Sequence, residues 1–199
     1  MRLTPAAAWS VTLGLTFLLW VFLPDRRLVC GTVLLGHAGV LVWGIADIRI
    51  AFFGPVLVRR RDKNDAIALT FDDGPDAEMT GRVLDLLAEF GFKATFFVVG
   101  EQVRRHPSLV KRAYEQGHTI ACHDLRHTPW TNFRGRGRMV RDMSEAQAAI
   151  AHAVGRTPLL YRPPVGLMNP HVPAALRRTG MRCVGWSRRA RDGGNRRLK

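Results

Sequence analysis

Residues 66–75 read AIALTFDDGP, an apolar run that ends in two adjacent carboxylates and a Gly-Pro turn. The run 66–71 predicts a buried strand, and four further short apolar runs have the same character. Amphipathic helical patterns separate these runs, and a glycine follows each helix. This alternation predicts a parallel α/β sheet with right-handed crossovers. The other predicted strands are 94–99, 119–123, 159–162 and 182–186, and the predicted helices are 78–90, 107–116, 138–154 and 170–179.

Polar clusters follow three of the predicted strands. Asp72 and Asp73 end the first strand, His123 and His127 follow the third, and Arg162 opens an Arg-Pro-Pro-Val-Gly segment after the fourth. Each cluster has an ordinary explanation by itself, because Asp-Asp-Gly-Pro is a common turn, His-x-x-x-His is often incidental, and consecutive prolines stiffen a loop. However, the carboxyl ends of parallel strands are where sites are built. We therefore expect these clusters to form one site.

The residue types of this expected site suit a hydrolytic metal centre. Two neutral imidazoles and one carboxylate occupy three positions on a divalent metal and leave others open for water and substrate. The sequence thus predicts Asp73, His123 and His127 as ligands. The neighbouring Asp72 then points elsewhere and is the predicted general base, which the cation of Arg162 keeps ionised.

The order of three motifs resembles that of the polysaccharide deacetylase family, the NodB-homology domain of carbohydrate esterase family 4. The motifs are TFDDGP at 70–75, His-x-x-x-His at 123–127 and Arg-x-Pro-x-Gly at 162–166. The resemblance covers residues 66–192. It implies a distorted parallel β/α barrel that removes N-acetyl or related N-acyl groups from the amino sugars of a polysaccharide, oligosaccharide or lipid-linked glycan.

The resemblance also implies roles for individual residues. Asp72 would be the base with Arg162 as its partner, and Asp73, His123 and His127 would bind the metal. Zinc is the expected metal, with cobalt, nickel or manganese as alternatives. The residues expected to contact the substrate are Pro163, Pro164, Gly166 and the aromatic Trp186.

Two residues beside the histidines need interpretation. Asp124 follows His123 where the family usually has Ser or Thr, and two roles stay open for it: holding the loop by hydrogen bonds or competing as a metal ligand. Cys122 precedes His123 and is interpreted as a small buried hydrophobic residue rather than a soft ligand. The three cysteines of the chain are too few for a disulfide framework.

The carboxyl-terminal part of the family pattern is missing. The family's last motif, Leu-x-His, supplies a histidine that acts as general acid, and no histidine follows Trp186. The residues after position 66 suffice for about four β/α units, where a closed barrel needs about seven or eight. We therefore expect a barrel that is incomplete at its carboxyl terminus, followed by a basic tail at 193–199. The alternative function is a catalytically inactive, truncated homologue that binds glycan or metal at a membrane.

The first 49 residues predict a membrane anchor. The segments 5–23 and 28–46 are each long enough to cross a bilayer at about 1.5 Å per residue, and a Pro-Asp-Arg-Arg turn joins them. A cleaved signal sequence and a buried soluble hairpin are the alternatives. Arginines lie on both sides of the spans, so charge leaves the sidedness open, whereas the family resemblance favours an extracytoplasmic domain. Residues 50–65 are expected to form an interfacial, basic linker.

The chain is strongly basic, with 30 Lys and Arg residues against 16 Asp and Glu and a net charge of +14. Such a charge favours anionic partners, and membrane lipid is the one expected beside the glycan substrate. Nucleic acid is not expected, because the sequence has neither a basic helix with base-reading spacing nor an array of aromatic residues for stacking.

Overall fold

The computed structural model describes residues 4–59, 66–128 and 130–189. Residues 60–65 of the predicted basic linker and the tail predicted at 193–199 therefore lie outside the described residues. The helices are α1 (Pro5–Phe22), α2 (Arg27–Ala46), α3 (Met79–Glu89), α4 (Gly100–Arg105), α5 (Pro107–Glu115), α6 (Arg136–Val154) and α7 (Val172–Thr179). The strands are β1 (Val56–Leu57), β2 (Thr70–Gly74), β3 (Thr95–Val98), β4 (Thr119–Cys122), β5 (Leu160–Tyr161) and β6 (Arg182–Val184).

The described strands form one parallel sheet in the order β1-β6-β5-β4-β3-β2. This confirms the predicted parallel α/β class. Within the described residues β1 and β2 are the two edge strands, so the sheet is open between them. Helices cover the sheet and bury one continuous apolar core, in which Leu84, Met143, Ala146, Ile150 and Ala175 have no exposed surface.

Strand β2 begins later than the sequence predicts. It covers Thr70–Gly74 instead of 66–71, so Asp72 and Asp73 belong to the strand rather than to a turn after it. Pairing with β3 explains the difference. This pairing begins at Thr70, and an extended segment forms a strand only where it pairs with a neighbouring strand. The two carboxylates therefore lie on the sheet itself.

Helix α4 is absent from the sequence prediction. It has only six residues and starts at Gly100, so it shows little helical periodicity. The glycine is needed because a Cβ at this position would lie 2.9 Å from Cα of Ala146 in α6. Close contact between α4 and α6 therefore decides the conformation of this segment.

Strand β1 places part of the segment 50–65, which the sequence predicts as an interfacial, basic linker, on the α/β domain. Val56 pairs with Cys183 and Leu57 with Val184, so this segment adds an edge strand to the sheet beside β6. Two residues are too few to show an alternating pattern. The apolar run at 50–58 includes Val56, which packs against the core. The sheet thus starts before residue 66.

Helices α1 and α2 form an antiparallel hairpin that is in contact with the α/β domain. Their mean hydropathies are 1.6 and 1.9, and each is long and apolar enough to cross a membrane. Only 0% and 11% of the residues in these helical spans are buried, which argues against the core hairpin of a soluble protein. A signal sequence has the same length and composition, so it stays an alternative. The backbone N–H of Met168 donates to the carbonyl of Ile45 at 3.1 Å, which joins the end of α2 to the domain.

Candidate metal and catalytic site

A β-bulge at the end of β2 positions the two adjacent aspartates. Between Phe71 and Gly74 strand β2 has two residues where β3 has one, so Asp72 and Asp73 together lie opposite Phe97. Asp73 adopts a left-handed conformation with φ of 69°. Bulges of this kind change the direction of side chains next to active sites. Consequently the two carboxylates contact different partners.

Asp73 lies against both histidines. Its Oδ1 atom is 3.2 Å from Nε2 of His123 and 3.1 Å from Nε2 of His127, and the three ligand atoms lie within 4.8 Å of one another. Two ligands at about 2.0–2.1 Å from a tetrahedral zinc ion are about 3.3 Å apart. The donor set and its spacing therefore fit a divalent metal held by three protein ligands.

Hydrogen bonds to groups outside the ligand set hold His123 and His127 in place. Nδ1 of His123 lies 2.8 Å from the carbonyl oxygen of Arg162, and since a carbonyl only accepts, Nδ1 carries the proton and donates. This leaves Nε2 directed at Asp73, as a metal ligand requires. His127 has a left-handed φ of 49° and its backbone N–H donates to Oδ2 of Asp124 at 3.3 Å. The His123 ring and the His127 backbone are therefore held in place by groups outside the ligand set.

The surroundings of Asp73 keep its side chain ionised. The hydrogen bond with His123 lowers the pKa of the Asp73 carboxyl, the charge of His127 lowers it further, and partial burial opposes both. An ionised carboxylate is the form that binds a cation. The lowered pKa therefore favours the form of Asp73 that can act as a ligand.

Asp124 holds the loop that carries His127. Its side chain is buried and accepts hydrogen bonds from the His127 backbone, from Oγ1 of Thr131 at 3.1 Å and from Nη1 of Arg134 at 3.0 Å. It lies outside the group of possible metal ligands found among the described residues. Of the two roles that the sequence left open, the structure supports the hydrogen-bonding one.

Cys122 also lies outside that ligand group. Its side chain has no exposed surface, and burial raises the pKa of its thiol to about 12. A protonated, buried thiol is a poor metal ligand. Cys122 therefore behaves as the small hydrophobic residue that the sequence predicts.

Arg162 is buried and makes polar contacts on several sides. Nη1 donates to Oδ1 of Asp72 at 2.7 Å and to Oγ1 of Thr70 at 2.9 Å, and Nη2 donates to the carbonyl of Gly185 at 2.9 Å. The guanidinium also lies 4.0 Å from the ring centroid of Phe97. These contacts fix Arg162 against Asp72. The sequence prediction included Arg162 but not Thr70, although Thr70 lies within the quoted TFDDGP segment.

The loop after Arg162 packs against Trp186. Pro163 and Pro164 are buried, whereas Val165 between them and Gly166 is 54% exposed. The ring of Trp186 lies directly on Gly166, where a Cβ would come within 2.4 Å of Cη2 of the indole. Two of the four residues expected to contact substrate, Gly166 and Trp186, therefore pack on each other, and the Arg162 guanidinium is 5.2 Å from the Trp186 ring.

Replacing Gly166 with alanine tests this packing, and Gly155 provides a matched control. Both glycines have φ of 73°, but a Cβ on Gly155 meets no atom within 4 Å. We expect Gly155→Ala to lower the free energy of unfolding by about 1 kcal/mol through backbone strain alone. Gly166→Ala adds overpacking against Trp186, for a total of about 2–4 kcal/mol. Urea denaturation of both variants measures the difference, and equal losses would contradict the assigned contact.

A family model for polysaccharide deacetylase matches residues 59–184, which is more than half of the chain. The chain is 39% identical over 121 residues to a peptidoglycan-N-acetylglucosamine deacetylase of Bacillus cereus, a match covering 61% of this chain and 56% of that protein. It is 38% identical over 131 residues to a chitooligosaccharide deacetylase of Rhizobium leguminosarum bv. trifolii, covering 66% of this chain and 60% of that protein.

The chain is also similar to a solved structure. A family 4 carbohydrate esterase from Streptomyces lividans in complex with acetate superposes with a TM-score of 0.59 and 36% identity, covering 62% of this chain and 63% of that one. The chain thus spans less than two thirds of the length of each of these three relatives. The family model, the relatives and the shared fold agree with the geometry of the site, and the chain belongs to the polysaccharide deacetylase family.

Proposed function

We propose that the chain is a metal-dependent hydrolase that removes N-acetyl or related N-acyl groups from the amino sugars of a glycan. The observation that carries this proposal is the convergence of Asp73, His123 and His127 beside Asp72, which Arg162 holds from the other side. The activities named for the relatives, deacetylation of peptidoglycan N-acetylglucosamine and of chitooligosaccharides, support the substrate class.

The proposed chemistry divides between the two aspartates. A divalent cation held by Asp73, His123 and His127 would supply a Lewis acid for the amide carbonyl and lower the pKa of water. Asp72 lies beside this site and accepts the proton of the attacking water at a carboxylate oxygen. The ion pair with Arg162, at 2.7 Å, holds the Asp72 carboxylate in position for this role. The segment 163–166 and the side chain of Trp186 position the sugar.

We propose zinc as the metal. Two imidazole nitrogens and one carboxylate oxygen are a common ligand set for catalytic zinc, and the open position suits a hydrolytic role. The same donors also accept cobalt, nickel or manganese, so metal analysis of the purified protein decides among them.

The second candidate is a binding protein without turnover. It rests on the same observation, because the ligand group of Asp73, His123 and His127 would bind a cation whether or not turnover follows. Such a protein would still bind metal or glycan through the residues described above.

We further propose that the α1–α2 hairpin anchors the domain in a membrane, with lipid as its second partner. The length and hydropathy of both helices and their exposed surfaces support this location. A glycan substrate of the cell envelope favours an extracytoplasmic domain.

Acetate release from an N-acetylglucosamine oligomer tests the proposed activity. We expect the purified full chain to bind one divalent metal and to release acetate, to lose this activity on chelation and to regain it when zinc is added back. Acetate release by metal-free protein would overturn the metal-dependent mechanism. Stoichiometric metal without acetate release would instead establish the binding protein.

A further inference from the structure

Two exposed aromatic side chains lie on the loop that follows His127. Trp130 is 71% exposed and Phe133 is 82% exposed. Their ring centroids are 6.0 Å apart, and the rings are tilted by 54°. Exposed apolar side chains that stand side by side are common at sites of contact with a partner or a membrane. We call Trp130 and Phe133 the aromatic pair.

Hydrogen bonds connect this loop to the hairpin. Nδ2 of Asn169 donates to the carbonyl of Asn132 at 2.7 Å, which fixes the residue between the two aromatic side chains. The preceding residue, Met168, donates its backbone N–H to the carbonyl of Ile45 at 3.1 Å. Adding these two hydrogen bonds to the standard bond lengths between them places the carbonyl oxygens of Asn132 and Ile45 at most about 15 Å apart. The aromatic pair therefore lies close to the carboxyl end of α2.

This end of the hairpin already carries aromatic residues of its own. Trp43 lies in the last turn of α2 and is 62% exposed, and Trp9 lies in the early part of α1. The backbone N–H of Ala6 donates to the carbonyl of Phe52 at 3.0 Å, so the start of α1 is at the same end. Tryptophan is enriched where a spanning helix leaves the hydrocarbon layer. The membrane interface of an inserted hairpin would thus lie at the level of the domain loops.

We propose that Trp130 and Phe133 insert into the interfacial layer of the bilayer that the hairpin spans. This inference rests on the proposed membrane attachment of α1 and α2. A sugar platform presents one ring face in a concave site, whereas both rings of this pair protrude. Neither the cavity lined by Asp72 and Asp73 nor the one lined by Val56 and Cys183 has Trp130 or Phe133 among its lining residues. Contact with lipid therefore fits the aromatic pair better than contact with a sugar.

A spin label at position 133 tests this proposal in the full chain reconstituted into phosphatidylcholine and phosphatidylglycerol vesicles. The three native cysteines, Cys30, Cys122 and Cys183, are buried, so Phe133→Cys supplies an accessible thiol. Leu159→Cys is the matched control, because Leu159 is 62% exposed and precedes β5 at the opposite end of the sheet. Leu35→Cys, near the middle of α2 and 75% exposed, reports separately on hairpin insertion.

We expect collision with oxygen and with a water-soluble nickel chelate to place the label at 133 about 5–10 Å below the lipid phosphates, as for other interfacial side chains. The label at 159 should remain in water and the label at 35 in the hydrocarbon core. A label at 133 that is as accessible to nickel as that at 159, while the label at 35 is in lipid, would overturn the inference and leave the anchor intact. Shielding at 133 only after addition of an N-acetylglucosamine oligomer would also overturn it, in favour of a sugar platform.

Discussion

The full chain with Asp73→Ala is expected to lose its bound metal and, with it, the release of acetate. Asp73 supplies the one carboxylate of the ligand set, and its Oδ1 atom contacts both His123 and His127. Loss of a group that merely orients a metal ligand costs about 10- to 100-fold in affinity, so loss of the ligand itself should cost more. Metal analysis of the purified variant and titration with zinc measure the effect.

Asp85→Ala is the matched control for this substitution. The side chain of Asp85 is 69% exposed and that of Asp73 is 67% exposed, but Asp85 pairs with Arg112 on the surface of α3. Removing a surface ion pair changes stability by about 0–1 kcal/mol and should leave metal content unchanged. Full metal occupancy in Asp73→Ala would show that the proposed ligand set is wrong.

Asp72→Asn is expected to abolish most of the activity while the metal stays bound. The amide has the shape of the carboxyl but does not take up a proton, so the general base is lost. We expect kcat to fall by about 10²- to 10⁴-fold, which is the usual contribution of such a base. Acetate release and metal content, measured on the same preparation, separate this result from that of Asp73→Ala.

The same substitution should also affect stability. Arg162 is buried and would keep its bonds to Thr70 and Gly185 but lose its charged partner, at a cost of about 1–3 kcal/mol. Urea denaturation measures this loss. Near-normal kcat in Asp72→Asn would exclude Asp72 as the base, and loss of metal would mean that the two aspartates do not have separate roles.

Local patterns were sufficient to predict most elements of the α/β domain. The long amphipathic pattern of α6 ends at Gly155 and that of α7 at Gly180, and both glycines adopt the left-handed conformation expected after a helix. Apolar runs located β3 and β4 to within one residue. The helix ends and the apolar runs are visible in residue types that are neighbours in sequence, which is why local patterns locate these elements.

Other features depend on partners that are distant along the chain. Strand β1 has two residues and exists because β6 pairs with it. Helix α4 depends on the close approach of Gly100 to Ala146. The partners of Asp124, Thr131 and Arg134, are only 7 and 10 residues away, but the fold of the intervening loop decides that they contact it. No local pattern contains this information.

The sequence by itself determined which chemical groups are available, two aspartates, two histidines and an arginine, and that they follow strands of one parallel sheet. Residue type and short-range periodicity carry that information. Only the tertiary structure decided how these groups are shared: the bulge in β2 directs Asp73 to His123 and His127 and leaves Asp72 to Arg162, 90 residues away. Such a division depends on the pairing of strands and on backbone conformations at single residues, and these are set by the packing of the whole domain.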